Sequence, residues 1–317
     1  MKVTFWGTRG SIPVSITAPD IRAKLIATLQ AAAGRELETG ERIERFVDGL
    51  DFSIAGSFGG HSSCIEVSAD GDTHAILDLG SGARPLAASL MRRAAGRART
   101  YHVFMSHLHW DHIMGFPFFT PAYLPGNRIV IHACHAEVEE AFRRQQAAPC
   151  FPVEFDALAA TIEFDVVPPD VPLHIAGFDV IATRQHHGND SYGWRLASGG
   201  RSMVYTTDSE HKLEDIASRR RFVEFFAGAY LVIFDAMYSL ADSISVKADW
   251  GHSSNIVGVE LCQEAGARRL ALFHHEPAYS DVQIAAILEE TRRFEEITRD
   301  GFPLDVVAAY DGLSIEL

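Results

Sequence analysis

Short apolar runs rich in β-branched and aromatic residues alternate along the chain with stretches whose apolar positions recur every three or four residues. The runs read as strands: Val3–Trp6, Ile65–Ser68, Ala75–Leu79, Tyr101–Met105, Arg128–His132, Phe178–Thr183, Met203–Thr206, Leu231–Phe234, Leu270–Phe273 and Asp305–Ala308. The periodic stretches read as helices, most clearly Ala83–Arg97, Glu137–Gln146, Asn255–Ala265 and Val282–Arg299. Strands and helices interleave throughout, which places the chain in an α/β class with helices covering sheets. No repeat and no low-complexity linker interrupts the pattern, so one domain over residues 1–317 is expected.

One segment departs from it. Residues 17–57, between the first strand and Gly59-Gly60, carry helical rather than strand character. Ile21, Leu25, Ile26 and Leu29 fall on one helical face, and Ile43, Phe46, Val47 and Leu50 on another. The segment reads as a helical insertion packed on the body. A lid or a dimerisation arm is the sharper alternative, and the arm would make the protein a homodimer.

Composition narrows the class. Apolar residues make up 47% and charged residues 22%, the balance of a globular protein rather than a disordered one. No apolar run reaches the roughly 18 residues needed to span a bilayer, and the first residues carry no basic-then-apolar signal region, so no membrane partner is expected. Four scattered cysteines without a Cys-x-x-Cys pair suit a reducing compartment, and a cytoplasmic location is expected. The formal charge of −14 argues against a long nucleic acid as partner, though a bound metal pair would reverse the local field for a small anion.

Histidine clustering changes the picture most. Ser106-His107-Leu108-His109-Trp110-Asp111-His112 follows the strand Tyr101–Met105 directly. Imidazole nitrogen and carboxylate oxygen are the donors that zinc and similar ions take. In extended chain, residues two apart point to the same side, so His107 and His109 can share one ion. The turn that follows lets Asp111 and His112 face a second.

His-x-His-x-Asp-His resembles the signature of the metallo-β-lactamase superfamily. The longer string His109-Trp110-Asp111-His112-Ile113-Met114-Gly115-Phe116-Pro117 is similar to its branch of small bacterial phosphodiesterases, which act on cyclic nucleotides or phosphoribosyl cyclic phosphates and have the tRNA 3′-processing endonucleases as relatives. The likeness extends over nearly the whole chain. It includes Trp6-Gly7-Thr8-Arg9-Gly10-Ser11-Ile12-Pro13, Gly59-Gly60-His61-Ser62-Ser63-Cys64 (with His61 where Asn is more usual) and Leu77-Asp78-Leu79-Gly80-Ser81-Gly82. It implies a four-layer αββα sandwich with a dinuclear site at one edge.

By the same resemblance, His187 is the metal histidine before Gly193-Trp194-Arg195, with His186 as rival because Gly188 replaces the usual Pro. Asp208, after Tyr205-Thr206-Thr207, resembles the carboxylate that bridges both ions. His274 in Phe273-His274-His275-Glu276-Pro277 is the expected last ligand, with His275 as its rival. Ion one would take His107, His109 and His187, and ion two Asp111, His112 and His274. The ions are expected to be zinc, with manganese or iron as alternatives. Asp249-Trp250-Gly251-His252-Ser253-Ser254-Asn255 resembles a Gly-His-Ser motif that supplies a histidine near the scissile phosphate. His252 is therefore expected as a general acid or a phosphate-binding cation, and Asp111 as a catalytic residue besides being a ligand. The alternative for this string is a loop histidine at a helix start, with Ser253 or Ser254 as cap.

Other candidates are balanced against plainer roles. Asp78 could orient a ligand imidazole or merely occupy a turn. His211 could reach the pocket or stand exposed at a helix start. Phe116, Phe118, Phe119 and Tyr123 could stack on a base or belong to the core. His61 could line the mouth or occupy a turn. His74, His102, His132, His135 and His174 read as structural.

The implied activity is hydrolysis of a small phosphodiester, cyclic ones included, by metal-bound hydroxide, with a lactone, thioester or β-lactam as the alternative substrate on the same metal core. A non-catalytic scaffold would have lost ligands, and none is missing. A redox di-iron protein would carry a carboxylate in place of His109. RNA processing would need a gripping arm, and the insertion is not convincingly basic.

Overall fold

A computed structural model describes residues 1–69, 74–188, 190–212, 214–238 and 251–317. The chain opens with β1 (Lys2–Gly7), then helices α1 (Ala18–Ala32), α2 (Gly40–Asp48) and α3 (Phe52–Ala55). Next come β2 (Cys64–Ser68), β3 (His74–Leu77), α4 (Ala83–Ala94), β4 (Thr100–Phe104), the short α5 (Trp110–Ile113), β5 (Arg128–Ala133), α6 (Val138–Gln145) and β6 (Thr161–Val166). The second half holds β7 (Leu173–Ile175), β8 (Phe178–Gln185), β9 (Ser191–Ser198), β10 (Arg201–Thr206), α7 (Ile216–Phe226), β11 (Leu231–Asp235), α8 (Asn255–Glu264), β12 (Arg269–Phe273), α9 (Asp281–Thr298), β13 (Asp305–Ala308) and β14 (Ser314–Glu316).

The strands form two seven-stranded sheets, ordered β14-β1-β2-β3-β4-β5-β6 and β13-β12-β11-β10-β9-β8-β7. Their inner faces meet over Val3, Phe5, Phe104, Trp194, Tyr205, Ile233 and Phe273. α4 and α6 cover the outer face of the first sheet through Leu86, Leu90 and Phe142. On the second sheet, α7 and α8 supply Phe222, Phe226, Val259 and Leu261. The result is the expected αββα sandwich. Strands β10 to β13 are parallel, which explains the unbroken apolar runs Leu231–Phe234 and Leu270–Phe273: both faces of such a sheet are covered.

Topology sets where the chemistry can collect. β3 and β4 run parallel. So do β10, β11 and β12, while β8 reaches the same direction through two antiparallel pairings. The segments after β3, β4, β8, β10, β11 and β12 meet at one edge of the sandwich.

The insertion is helical, as expected, but it is packed on the body only in part. α1 begins with a capping box between Thr17 and Asp20. Its Lys24 pairs with Asp281 at 2.8 Å, and Phe52 of α3 lies 4.9 Å from Phe58 and 4.6 Å from Tyr310, ring centre to ring centre. No residue of α1, α2 or α3 is buried. Ile21, Leu25 and Leu29, spaced four apart along α1, are 46%, 59% and 71% exposed. No helix among the described residues is long and apolar enough to cross a membrane.

Candidate metal centre

Seven side chains converge at the shared edge. His107 and His109 come from the loop after β4, Asp111 and His112 from α5, His187 from the turn after β8, Asp208 from the end of β10 and His274 from the end of β12. Donor atoms of His107, His109 and His187 lie within 4.8 Å of one another, and so do those of Asp111, His112, Asp208 and His274. Three strand ends bend sharply to achieve this. Asp78, Asp208 and His274 have φ of +58°, +49° and +61°, a region that non-glycine residues enter at a cost and that the surroundings must sustain. Gly10 is needed beside them, because a Cβ there would stand 2.6 Å from the His274 ring.

Asp208 sorts the cluster into two sets. Its Oδ2 is 3.6 Å from His107 Nε2 and 3.7 Å from His187 Nε2. Its Oδ1 is 3.2 Å from both His112 Nε2 and His274 Nε2. His187 Nε2 and His109 Nδ1 stand 3.1 Å apart, and Asp111 Oδ2 lies 3.2 Å from His112 Nε2.

Whether these residues suit a cation is tested by what they lack. His107 Nε2, His112 Nε2, Asp111 Oδ2 and both ring nitrogens of His274 are buried without a hydrogen-bond partner. Buried polar atoms are seldom left so, because each unpaired group loses its solvation. Burial pushes His107 well below its ordinary pKa and His109 below it, with neighbouring imidazoles adding to the effect. Both are then neutral, the form that offers a lone pair to a metal. Burial would raise Asp208 and Asp111, but the surrounding histidines outweigh it and hold both below the usual carboxylate range. Burial likewise opposes charge on His112, yet Asp111, Asp208 and Asp78 raise it well above its ordinary value. A site whose carboxylates attract positive charge this strongly, with unpaired nitrogens turned inward, fits divalent cations.

Outside the cluster, Asp78 acts as an orienting group rather than a plain turn residue. Its fully buried carboxylate accepts from Ser106 N–H at 2.7 Å, Ser106 Oγ at 2.6 Å and Tyr205 OH at 2.8 Å, and faces His112 Nδ1 at 2.7 Å. Such a bond fixes which imidazole nitrogen points at the cluster.

His252 lies beside the cluster, its ring centre 5.1 Å from those of His187 and His274. Its Nδ1 is 2.8 Å from Asp235 Oδ2. Burial works against the imidazolium, but Asp235 outweighs it and lifts the pKa to about 9. Asp235 was not visible as a functional residue in the sequence. Its only signal is a carboxylate ending the apolar run of β11. Asp249 and Trp250 of the motif around His252 lie outside the described residues. Ser254, not Ser253, caps α8.

The rival histidines stand apart. His186 is exposed, and His275 is buried with its Nε2–H donating to the Ala309 carbonyl at 2.8 Å. His211 is neither in the pocket nor exposed. It is buried against Phe222 and Phe234, and burial depresses its pKa to about 3. Phe116 and Phe119 are core, whereas Phe118 is 56% exposed. His61 faces Ser81 Oγ at 3.2 Å and, with Arg84, Phe118 and Tyr123, lines a separate surface pocket.

Comparison with known proteins bears on the whole arrangement. The family model for the beta-lactamase superfamily domain matches residues 75–275. A ribonuclease Z from Haloarcula marismortui is 25% identical over 302 residues, covering 80% of this chain and 90% of that protein. The probable metallo-hydrolase YhfI of Bacillus subtilis is 29% identical over 106 residues, which is 33% of this chain and 39% of that protein. Among solved structures, YhfI superposes with a TM-score of 0.62 at 19% identity, covering 99% of this chain and 98% of its own. Human tRNase Z, short form, gives 0.61 at 18% identity over 100% and 99% of the two chains. A diphosphatase of the PhnP family gives 0.59 at 18% over 100% and 97%. At these identities the structural likenesses speak for the fold.

Proposed function

The chain belongs to the beta-lactamase superfamily of metal-dependent hydrolases, and from that premise we propose that it is a single-domain, dinuclear phosphodiesterase acting on a small phosphodiester, cyclic ones included. The observation that carries this reading is the division of Asp208, one oxygen toward His107 and His187, the other toward His112 and His274. His107, His109 and His187 would hold one ion, Asp111, His112 and His274 the other, and Asp208 both. Zinc suits this imidazole-rich set, and manganese or iron would also be accepted. A bound pair supplies Lewis acidity toward a phosphoryl oxygen and makes a water nucleophilic near neutral pH.

The chain's own residues do the rest. Asp78 holds His112 in one ring orientation. Asp235 takes His252 Nδ1 and leaves Nε2 to carry a proton to the departing oxygen. Asp111 completes the negative charge of the second set. A small substrate is favoured over a long nucleic acid because the chain carries a formal charge of −14. The reading also takes the protein to be a cytoplasmic homodimer, joined through the exposed stripe of α1.

The test is elemental analysis of the purified protein, then turnover of a cyclic nucleotide, a ribose cyclic phosphate, bis(p-nitrophenyl) phosphate, a precursor tRNA, a lactone and a thioester with the metal it carries. Diester turnover exceeding lactone and thioester turnover is expected. The reverse order would overturn the choice of phosphorus, and preference for the tRNA would overturn the choice of a small substrate.

A further inference from the structure

The loop that leads into α8 is fastened residue by residue to different parts of the centre. The Gly251 carbonyl accepts from His187 Nδ1 at 2.9 Å. His252 Nδ1 rests on Asp235 Oδ2 at 2.8 Å. Ser253 Oγ donates to the Ser209 carbonyl at 2.6 Å and accepts the His211 N–H at 2.9 Å. This one hydroxyl therefore grips the turn that begins at Asp208 from both sides. Asp235 Oδ2 repeats the link, accepting Ser209 N–H at 3.0 Å as well as meeting His252. Gly251 has φ of +82°, and a Cβ there would stand 2.6 Å from His187 Nδ1, so the loop's approach to this ligand needs glycine.

Ser253 is 3% exposed and Ser209 fully buried. The Ser253 hydroxyl does not cap α8, because Ser254 does that. Its two bonds satisfy backbone groups of the turn that must keep Asp208 at φ +49° with its carboxylate divided between two sets of histidines. Strain of that kind persists only where neighbours hold it.

We propose that Ser253 is a positioning residue that clasps the Asp208 turn to the His252 loop, making metal loading and presentation of His252 one coupled event. The inference rests on the two-metal reading above. By linkage, whatever docking the loop gains from a loaded centre, the centre gains in metal affinity from a docked loop.

The test uses the full chain, metal-free and zinc-loaded. Zinc affinity is measured by competition with a chromogenic chelator, and exchange of backbone amides in residues 251–257 by mass spectrometry. In the wild type, zinc should slow exchange in this loop. Ser253→Ala should weaken zinc binding about 10–100-fold, the range typical when a group supporting a metal site from outside its ligands is lost, and should abolish the zinc-dependent protection. Ser253→Thr, which keeps the hydroxyl, should restore both. Ser254→Ala, which removes only the helix cap, should change neither. Zinc binding by Ser253→Ala as tight as in the wild type, or equal effects from Ser254→Ala, would overturn the clasp. So would a wild-type loop indifferent to zinc, a result that needs no variant to fold. A wild type that binds zinc, shows the coupling and cleaves no diester would leave the clasp standing and remove the proposed substrate.

Discussion

Replacing His252 by alanine separates chemistry from metal binding. Asp235 occupies Nδ1 of this imidazole at 2.8 Å, so the ring presents one nitrogen, Nε2, for proton transfer. In the metal-free protein Asp235 lifts the imidazole pKa to about 9 against the opposing effect of burial, and so favours the protonated ring that a leaving oxygen needs. A positioned general acid contributes roughly 10²–10⁴-fold to rate, which at about 1.36 kcal/mol per decade is about 2.7–5.4 kcal/mol of barrier. His252→Ala should lose that factor in kcat on a diester with an alkoxide leaving group. On a nitrophenyl diester, whose leaving group needs little protonation, the loss should be much smaller. Asp235→Asn keeps an acceptor but removes the charge, and should reproduce the contrast at lower amplitude. Metal content must be measured on the same samples, because His252 also falls within donor distance of His187 and Asp208, and of Asp235 and His274. Equal losses on both diesters would remove the acid role. An ion missing even at saturating metal would make His252 a ligand instead, whereas a fall in affinity alone is what the coupling through the Ser253 loop predicts.

The bridging assignment predicts close to two ions per chain in the wild type and loss of both in Asp208→Ala; one ion retained at full affinity would refute it. The exposed stripe on α1 predicts a dimer in sedimentation, which Leu25→Glu with Leu29→Glu should convert to monomer with metal content unchanged; a monomeric wild type would refute the interface. His211 predicts an acid-side loss of stability. Its folded pKa of about 3 lies below the unfolded value of about 6.5, so its contribution is whole above pH 6.5 and drains as the pH falls toward 3. Between pH 6.5 and 5 this amounts to about 1.6 kcal/mol, because the unfolded imidazole is only half protonated at pH 6.5 and the full slope of about 1.36 kcal/mol per pH unit is reached below it. Urea unfolding of the metal-free protein at both pH values should show His211→Phe losing about that much less than the wild type, and parallel losses would refute the assignment.

The strands that the sequence pattern missed show where local patterning loses its grip. β6, β7 and β14 all lie at sheet edges, and β7 and β14 are only three residues long, too short to show a period. β6 alternates cleanly, Ile162, Phe164 and Val166 against Glu163 and Asp165, so its pattern was legible along the chain. β9 is central, but Gly193 and Arg195 broke its pattern. Gly193 is small because a Cβ there would stand 2.7 Å from Gln185 Oε1, a constraint set by the neighbouring strand and invisible along the chain.

The site divides along the same line. His107, His109, Asp111 and His112 were legible because one short segment supplies them all, and ligands must be of few chemical types. His187 over His186 and His274 over His275 rested on family resemblance, since adjacent imidazoles differ only in which way the backbone turns them. The structure separates the second pair by a φ of +61° at His274 and a hydrogen bond from His275 to Ala309. Asp235 could not be found at all, because its meaning lies in His252, seventeen residues on. The apolar face of α1 is the reverse case. Its periodicity was plain in the sequence, yet a periodic stripe specifies only that something should cover it. Among the described residues nothing buries Ile21, Leu25 or Leu29, which is why the proposed dimer places a second copy of the chain against this stripe.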